Sequence, residues 1–255
     1  MSNGNITSDI IGKKIFFLYP TITIQEQIIP ELVQLEYEVY TSKNHTRLAE
    51  AMKKYPDSVI YANIDDGMSG EEWEKWIDAL LTGLPEIKIG VFSSTTDEEL
   101  RKKLTNNTKI KCGYMNLKLD MKSAAPKIIE MLKVMNVKGR RKYLRATTDL
   151  ESATLNMPTA GGFANGTIKD ISVVGISCTF DSEVGFRKNE MYKDIQIRLQ
   201  TMLLKVEAIL FGSRMDGHET IYVFIFTQKI NPDVRTKIRT YIQRSLQHKM
   251  DKEIN

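Results

Sequence analysis

The 255-residue sequence predicts an α/β half followed by an all-β half that closes with a helix. Three observations predict it. From Lys14 to Met135, short apolar runs alternate with helical spacing and helix-start signals. A basic stretch, Val137 to Arg145, then breaks the pattern. Beyond it, short β-rich runs succeed one another across turn residues, and only the end of the chain is helical again.

Lys14 to Tyr19 is apolar and aromatic and reads as a buried strand. A helix follows within Ile24 to Leu35, started or kinked by Pro30. Tyr37 to Thr41 is a second strand, Thr46 to Lys54 a short helix, and Ser58 to Ile64 a third strand ending at Asp65, Asp66 and Gly67. Ser69 with Glu72 makes a capping box ahead of Trp73, Trp76, Ile77 and Leu80 at helical spacing. Ile87 to Phe92 is a fourth strand. Thr96 with Glu99 makes a second capping box. Ile110 to Leu117 is a fifth strand, and Lys122 to Met135 a helix with Ala125, Ile128, Ile129 and Leu132 on one face. Five strands joined by helices argue for a parallel sheet covered on both faces, of flavodoxin-like size.

In the second half the expected strands are Thr147 to Leu155, Gly166 to Ile171, Gly175 to Phe180, Ile195 to Leu199, Leu203 to Phe211 and Thr220 to Phe226. Ala160-Gly161-Gly162 and Met215-Asp216-Gly217-His218 mark turns. Short strands at this spacing suggest a small barrel. Asn231-Pro232-Asp233 opens the last helix, and Val234, Ile238, Tyr241, Ile242 and Leu246 give it an apolar stripe. The domains are read as 1–136 and 137–255, with 138–145 as a linker.

Hydrophobic residues make up 42% of the chain, which excludes a disordered or fibrous class. Residues 1–137 hold 17 basic against 19 acidic residues, a balance of −2; residues 138–255 hold 19 against 13, a balance of +6. A phosphate-bearing partner therefore belongs with the second half. Cys112 and Cys178 match no zinc or redox spacing, and two isolated thiols fit a reducing cytoplasm. Met1 to Ile11 lacks the pattern of a secretory signal, and no apolar run has the length of a membrane span. His45, His218 and His248 are scattered, so neither a metal site nor a catalytic triad is expected. Arg235, Lys237, Arg239, Arg244, Lys249 and Lys252 read as the solvated face of the last helix; nucleic acid is the weaker reading.

Two motifs stand at the start of the barrel region. Arg141-Lys142-Tyr143-Leu144-Arg145 has Arg-x-x-x-Arg spacing, with Arg140 just ahead. Asp170-Ile171-Ser172-Val173-Val174-Gly175 has Asp-x-Ser-x-x-Gly spacing. Guanidinium groups fork onto phosphate oxygens and stack on aromatic bases. Asp170 can accept hydrogen bonds from a guanine edge. Ser172 can donate to a phosphate or order the turn. Gly175 allows an unusual backbone conformation or a close ligand approach. Taken singly, the first motif also reads as a solvated linker and the second as a plain β-turn.

In these two motifs, their order and a gap of roughly 25 residues that one strand and its turns would fill, the sequence resembles the PilZ family over residues 138–255. The resemblance implies a six-stranded antiparallel barrel, no catalysis, no cofactor, and binding of cyclic di-GMP. Arg141 and Arg145 would grip phosphates and stack on guanines with Arg140 as a helper, and Asp170, Ser172 and Gly175 would form the rest of the site. An unidentified downstream protein would receive the signal. The first half resembles a response-regulator receiver and departs from it. Asp65 or Asp66 stands where the phosphate acceptor lies, Ser93 or Ser94 where the switch hydroxyl lies, and Lys118 near the late lysine. The acidic pair that would hold a metal ion is replaced by Tyr19-Pro20-Thr21, so a domain that is not phosphorylated is expected.

Overall fold

A computed structural model describes residues 12–119, 121–148, 153–159 and 161–254. The expectation for Met1 to Ile11 lies outside the described residues, as do parts of those for Thr147 to Leu155 and for the turn at Ala160. The chain divides into two compact units. One comprises the residues up to Lys142 together with the chain's end from Gln247; the other is Tyr143–Leu246.

In the first unit five strands pair in parallel: β1 (Ile15–Leu18), β2 (Val39–Ser42), β3 (Val59–Asn63), β4 (Lys88–Ser93) and β5 (Tyr114–Asn116). Their order, β2-β1-β3-β4-β5, is the flavodoxin-like one. Every residue of β1 and β3 is buried, so both faces of the sheet are covered. Ile15, Phe17, Val59 and Tyr61 share one cluster with Ile24, Ile28, Ile128 and Leu132. Period-two alternation sends Phe16 to the other face, where it stacks on Tyr40.

Local chemistry sets the connecting helices. A π-helical turn, Ile24–Ile28, runs into α1 (Ile29–Gln34), with Pro30 in its first turn. Pro30 has no N–H and its ring would press on the carbonyl four residues back, and a wider preceding turn relieves this. Asn44 caps α2 (His45–Met52). The Ser69–Glu72 capping box forms in full at α3 (Gly70–Gly83). The second capping box does not form: Asp97, not Thr96, caps α4 (Glu98–Thr105), accepting from the Glu99 and Leu100 N–H groups. A carboxylate is the stronger acceptor at a helix N-terminus. β5 has three residues rather than eight, because a turn ending at Gly113, with φ of 81°, occupies the positions before it. In α5 (Met121–Val134), Ala124, Ala125, Ile128 and Leu132 are buried.

The second unit is built on β6 (Ala146–Thr147), β7 (Ala153–Thr159), β8 (Gly162–Ser172), β9 (Gly175–Phe180), β10 (Met191–Leu199), β11 (Met202–Asp216) and β12 (Glu219–Phe226). Antiparallel pairing runs β8-β7-β10-β11-β12-β9, and a β8–β9 pairing closes the ring into a six-stranded barrel. β6 adds to β8. Of the expected strand Thr147 to Leu155, the described ends lie in β6 and in β7, and both of these pair with β8. Alternation on β7 turns Ala153, Leu155 and Met157 inward. The barrel core takes Ile168, Ile176, Ile195, Val206 and Phe224, together with Ile238, Tyr241 and Ile242 of α6 (Pro232–Ile254). Asn231 Oδ1 accepts the Asp233 N–H at 2.8 Å and starts that helix.

Candidate functional site

Strand register places the Asp-x-Ser-x-x-Gly residues on the barrel. β8 and β9 form a hairpin in which Ser172 pairs with Gly175 and Asp170 with Ser177. Ile168, Ile171, Ile176 and Cys178 are fully buried in the barrel core. Asp170 and Ser177 point to the outer face, where the Ser177 hydroxyl donates to Asp170 Oδ2.

β6 brings Arg145 to the same place. Ala146 pairs with Ile171 and Thr147 with Asp170. Arg145 immediately precedes β6, and period two puts it on the face of Thr147 and Asp170. Arg145 Nη1 lies 3.9 Å from Asp170 Oδ1, with side chains 55% and 26% exposed. At that length and exposure the ion pair contributes about 0–1 kcal/mol. Arg140 and Arg141 are exposed and belong to the first unit.

Ser172 and Gly175 have roles that the fold itself explains. The Ser172 hydroxyl donates to the Gly175 carbonyl at 3.3 Å and accepts the Val174 N–H at 3.4 Å. It is 5% exposed, so of its two sequence-based roles the structure displays the ordering of the turn. Gly175 does not stand in the left-handed region. A Cβ there would meet the Phe224 carbonyl oxygen of β12 at 2.3 Å, so the glycine is required by the close approach of two strands. Ser177 is the residue that spacing alone did not single out. Its signal lies in register: it sits one strand across from Asp170. Inside the barrel, burial first and the Asp170 charge second push the Cys178 thiol well above its ordinary pKa.

The first unit gathers its own polar residues at the strand ends. Ser93 Oγ donates to Asp65 Oδ1 at 2.6 Å, and the Ser94 N–H and hydroxyl donate to Asp65 Oδ2 at 2.5 and 2.6 Å. Asp66 serves the turn instead: its side chain accepts the Gly67 N–H and its carbonyl accepts Trp73 Nε1–H. The Lys118 side chain is exposed. After β1, Tyr19 has φ of 53°, its hydroxyl is 2.8 Å from His45 Nδ1, and its ring meets Trp73 edge-on. An aromatic cluster thus follows β1 where a receiver would carry its acidic pair. Among the described residues no three His, Cys, Asp or Glu side chains are grouped to hold a metal ion, and no helix is long and apolar enough to cross a membrane.

No family model and no curated protein matches the chain. Among solved structures it is similar to the PilZ domain of YcgR from Escherichia coli with c-di-GMP, at 16% identity and a TM-score of 0.37, covering 45% of this chain and 96% of that one. It is also similar to the K. pneumonia MrkH–c-di-GMP complex, at 16% and 0.41, covering 46% of this chain and 57% of that one. A third is the Bacillus subtilis inhibitor of motility MotI/DgrA, at 18% and 0.37, covering 44% and 52%. The chain spans little more than half the length of MrkH and MotI.

Proposed function

We propose that the barrel is a PilZ-type receptor for cyclic di-GMP, held between the arginine segment and the Asp170 turn. The observation that carries this reading is the meeting of Arg145 and Asp170, 25 positions apart in sequence, at 3.9 Å on the outer face of the barrel. A cation and an acceptor side by side are what a guanine nucleotide needs: phosphate oxygens to the guanidinium, base N–H donors to the carboxylate. Because the ion pair is long and exposed, a phosphate can replace Asp170 as the arginine's partner at small cost. Arg140 and Arg141 add cationic grip and stacking surface from the adjoining segment. Ser172 keeps the hairpin turn in shape, and Gly175 lets β12 pack closely against that hairpin. The role is recognition, not catalysis.

On this reading the ligand also acts as a switch. The arginines lie on the stretch of chain that passes from one unit to the other. Binding would order residues 138–145 and alter how the two domains are presented to a downstream protein. Calorimetric titration of the full chain with cyclic di-GMP, repeated on Arg145→Ala and Asp170→Ala, tests the site. The expected result is micromolar or tighter binding that both substitutions weaken at least tenfold. Unaltered affinity in both variants would sink the site assignment.

A further inference from the structure

The first unit holds a cavity of about 600 Å3 between α3 and α4. Its walls are two facing apolar stripes. On α3 the lining residues include Trp73 and Ile77, one turn apart and both buried. On α4 they are Leu100 and Leu104, again one turn apart. This spacing gives α4 an apolar face, yet no residue of α4 is buried. A crossover helix that covers a parallel sheet normally sets such a stripe against the strands. Here the stripe borders open space instead.

Protein interiors are close-packed, and an unfilled void costs stability in proportion to its volume. The size falls within the roughly 300–1,000 Å3 of small-molecule sites, which combine apolar walls with a few directed polar groups. The polar groups of this cavity stand where β3 and β4 end. Ser93 and Ser94 donate to both oxygens of Asp65 and so fix its carboxylate in place. These donors are neutral. The other charged lining residues are already paired, Lys103 with Glu74 and Lys109 with Asp78. Three acids thus line the cavity against two bases, and Asp65 is the acid left without a cationic partner among the described residues. Both ion pairs are more than half exposed, so little is lost when they part. They tie α4 and the turn after it to α3, and their parting would let a molecule enter.

We infer that this cavity is a binding site for a small molecule that carries a protonated amine on an apolar body. The body lies between the stripes of α3 and α4, and the amine donates to Asp65. An ammonium group brings both N–H donors and the missing positive charge, whereas a carboxylate in its place is repelled by Asp65. The inference does not depend on what the barrel binds.

The test is a titration of the full chain, with isotope-labelled isoleucine methyl groups followed by NMR. The probes are phenethylamine, phenethyl alcohol and phenylacetate, which share one apolar body and differ in charge. The expected result is that the amine moves the signals of Ile64, Ile77 and Ile110, which line the cavity, along one saturable curve and leaves Ile176 of the barrel core in place. The alcohol binds about tenfold more weakly, and phenylacetate moves none of them. Asp65→Asn erases the amine's advantage over the alcohol. Leu104→Trp fills the space, raises the melting temperature and abolishes amine binding. The three probes on the unmodified chain decide the matter whichever way Leu104→Trp folds. Amine-induced shifts that are absent, or that scatter over isoleucines of both units without saturating, would overturn the cavity as a site. Alcohol bound as tightly as the amine would overturn the role of Asp65.

Discussion

Asp170 is held by two unequal partners. Ser177 donates to one carboxylate oxygen in a direct hydrogen bond, while Arg145 approaches the other only to 3.9 Å. The hydroxyl orients the acid, and under the proposed function the arginine is the partner that a ligand would take over. Spacing in the sequence marks Arg145 and Asp170, but Ser177 becomes visible only through β8–β9 register. The two cysteines show burial at the same scale. Both are free and buried, and loss of water around Cys112 raises its thiol to about 12, with Lys88 pulling the other way. A thiol raised in the folded state adds stability that is complete below its unfolded pKa near 9. That stability is lost as pH climbs toward 12. The expected outcome is no reaction with a thiol reagent at pH 8 until the chain unfolds, and a melting midpoint that falls from pH 9 upward. Rapid labelling of the folded chain would contradict this burial.

At the scale of elements, the hairpin β8–β9 is the piece that makes the site. It pairs with β6 on one side, which delivers Arg145, and with β12 on the other, which requires Gly175. The glycine in the motif is therefore explained first by packing. Gly175→Ala would drive a Cβ against the Phe224 carbonyl, and we expect a loss of about 1–3 kcal/mol in barrel stability, read by chemical denaturation. An unchanged midpoint would show that β9 and β12 can separate at that point. Element types were legible wherever period and caps agreed, as at Ser69–Glu72 and at β1. They were not legible where context decided. Register in the first barrel strand is set by its neighbour: among the described residues both Ala146–Thr147 and Ala153–Thr159 pair with β8, which alternation alone does not reveal. Thr96 has the spacing of a cap, though Asp97 beside it is the stronger acceptor and takes the position.

At the scale of the molecule, the chain joins a parallel α/β unit to a closed antiparallel barrel, and both classes follow from hydrophobic period and turn chemistry. The Arg145–Asp170 meeting joins the two motifs that spacing marks, while Arg140 and Arg141 belong to the other unit. Which side chains face outward is hidden in sequence, because outward Ile209 and inward Leu210 look alike until register separates them. In the first unit, Asp65 is engaged by Ser93 and Ser94, and Tyr19 with His45 stands where a metal-holding acidic pair would be. The most direct measurement is calorimetric titration of the intact chain with cyclic di-GMP at low and at high salt. A receptor that holds bases by stacking and directed hydrogen bonds predicts saturable binding, micromolar or tighter, that survives added salt. Flat heats at both salts, or binding that collapses with salt as a purely phosphate-driven contact does, would contradict it.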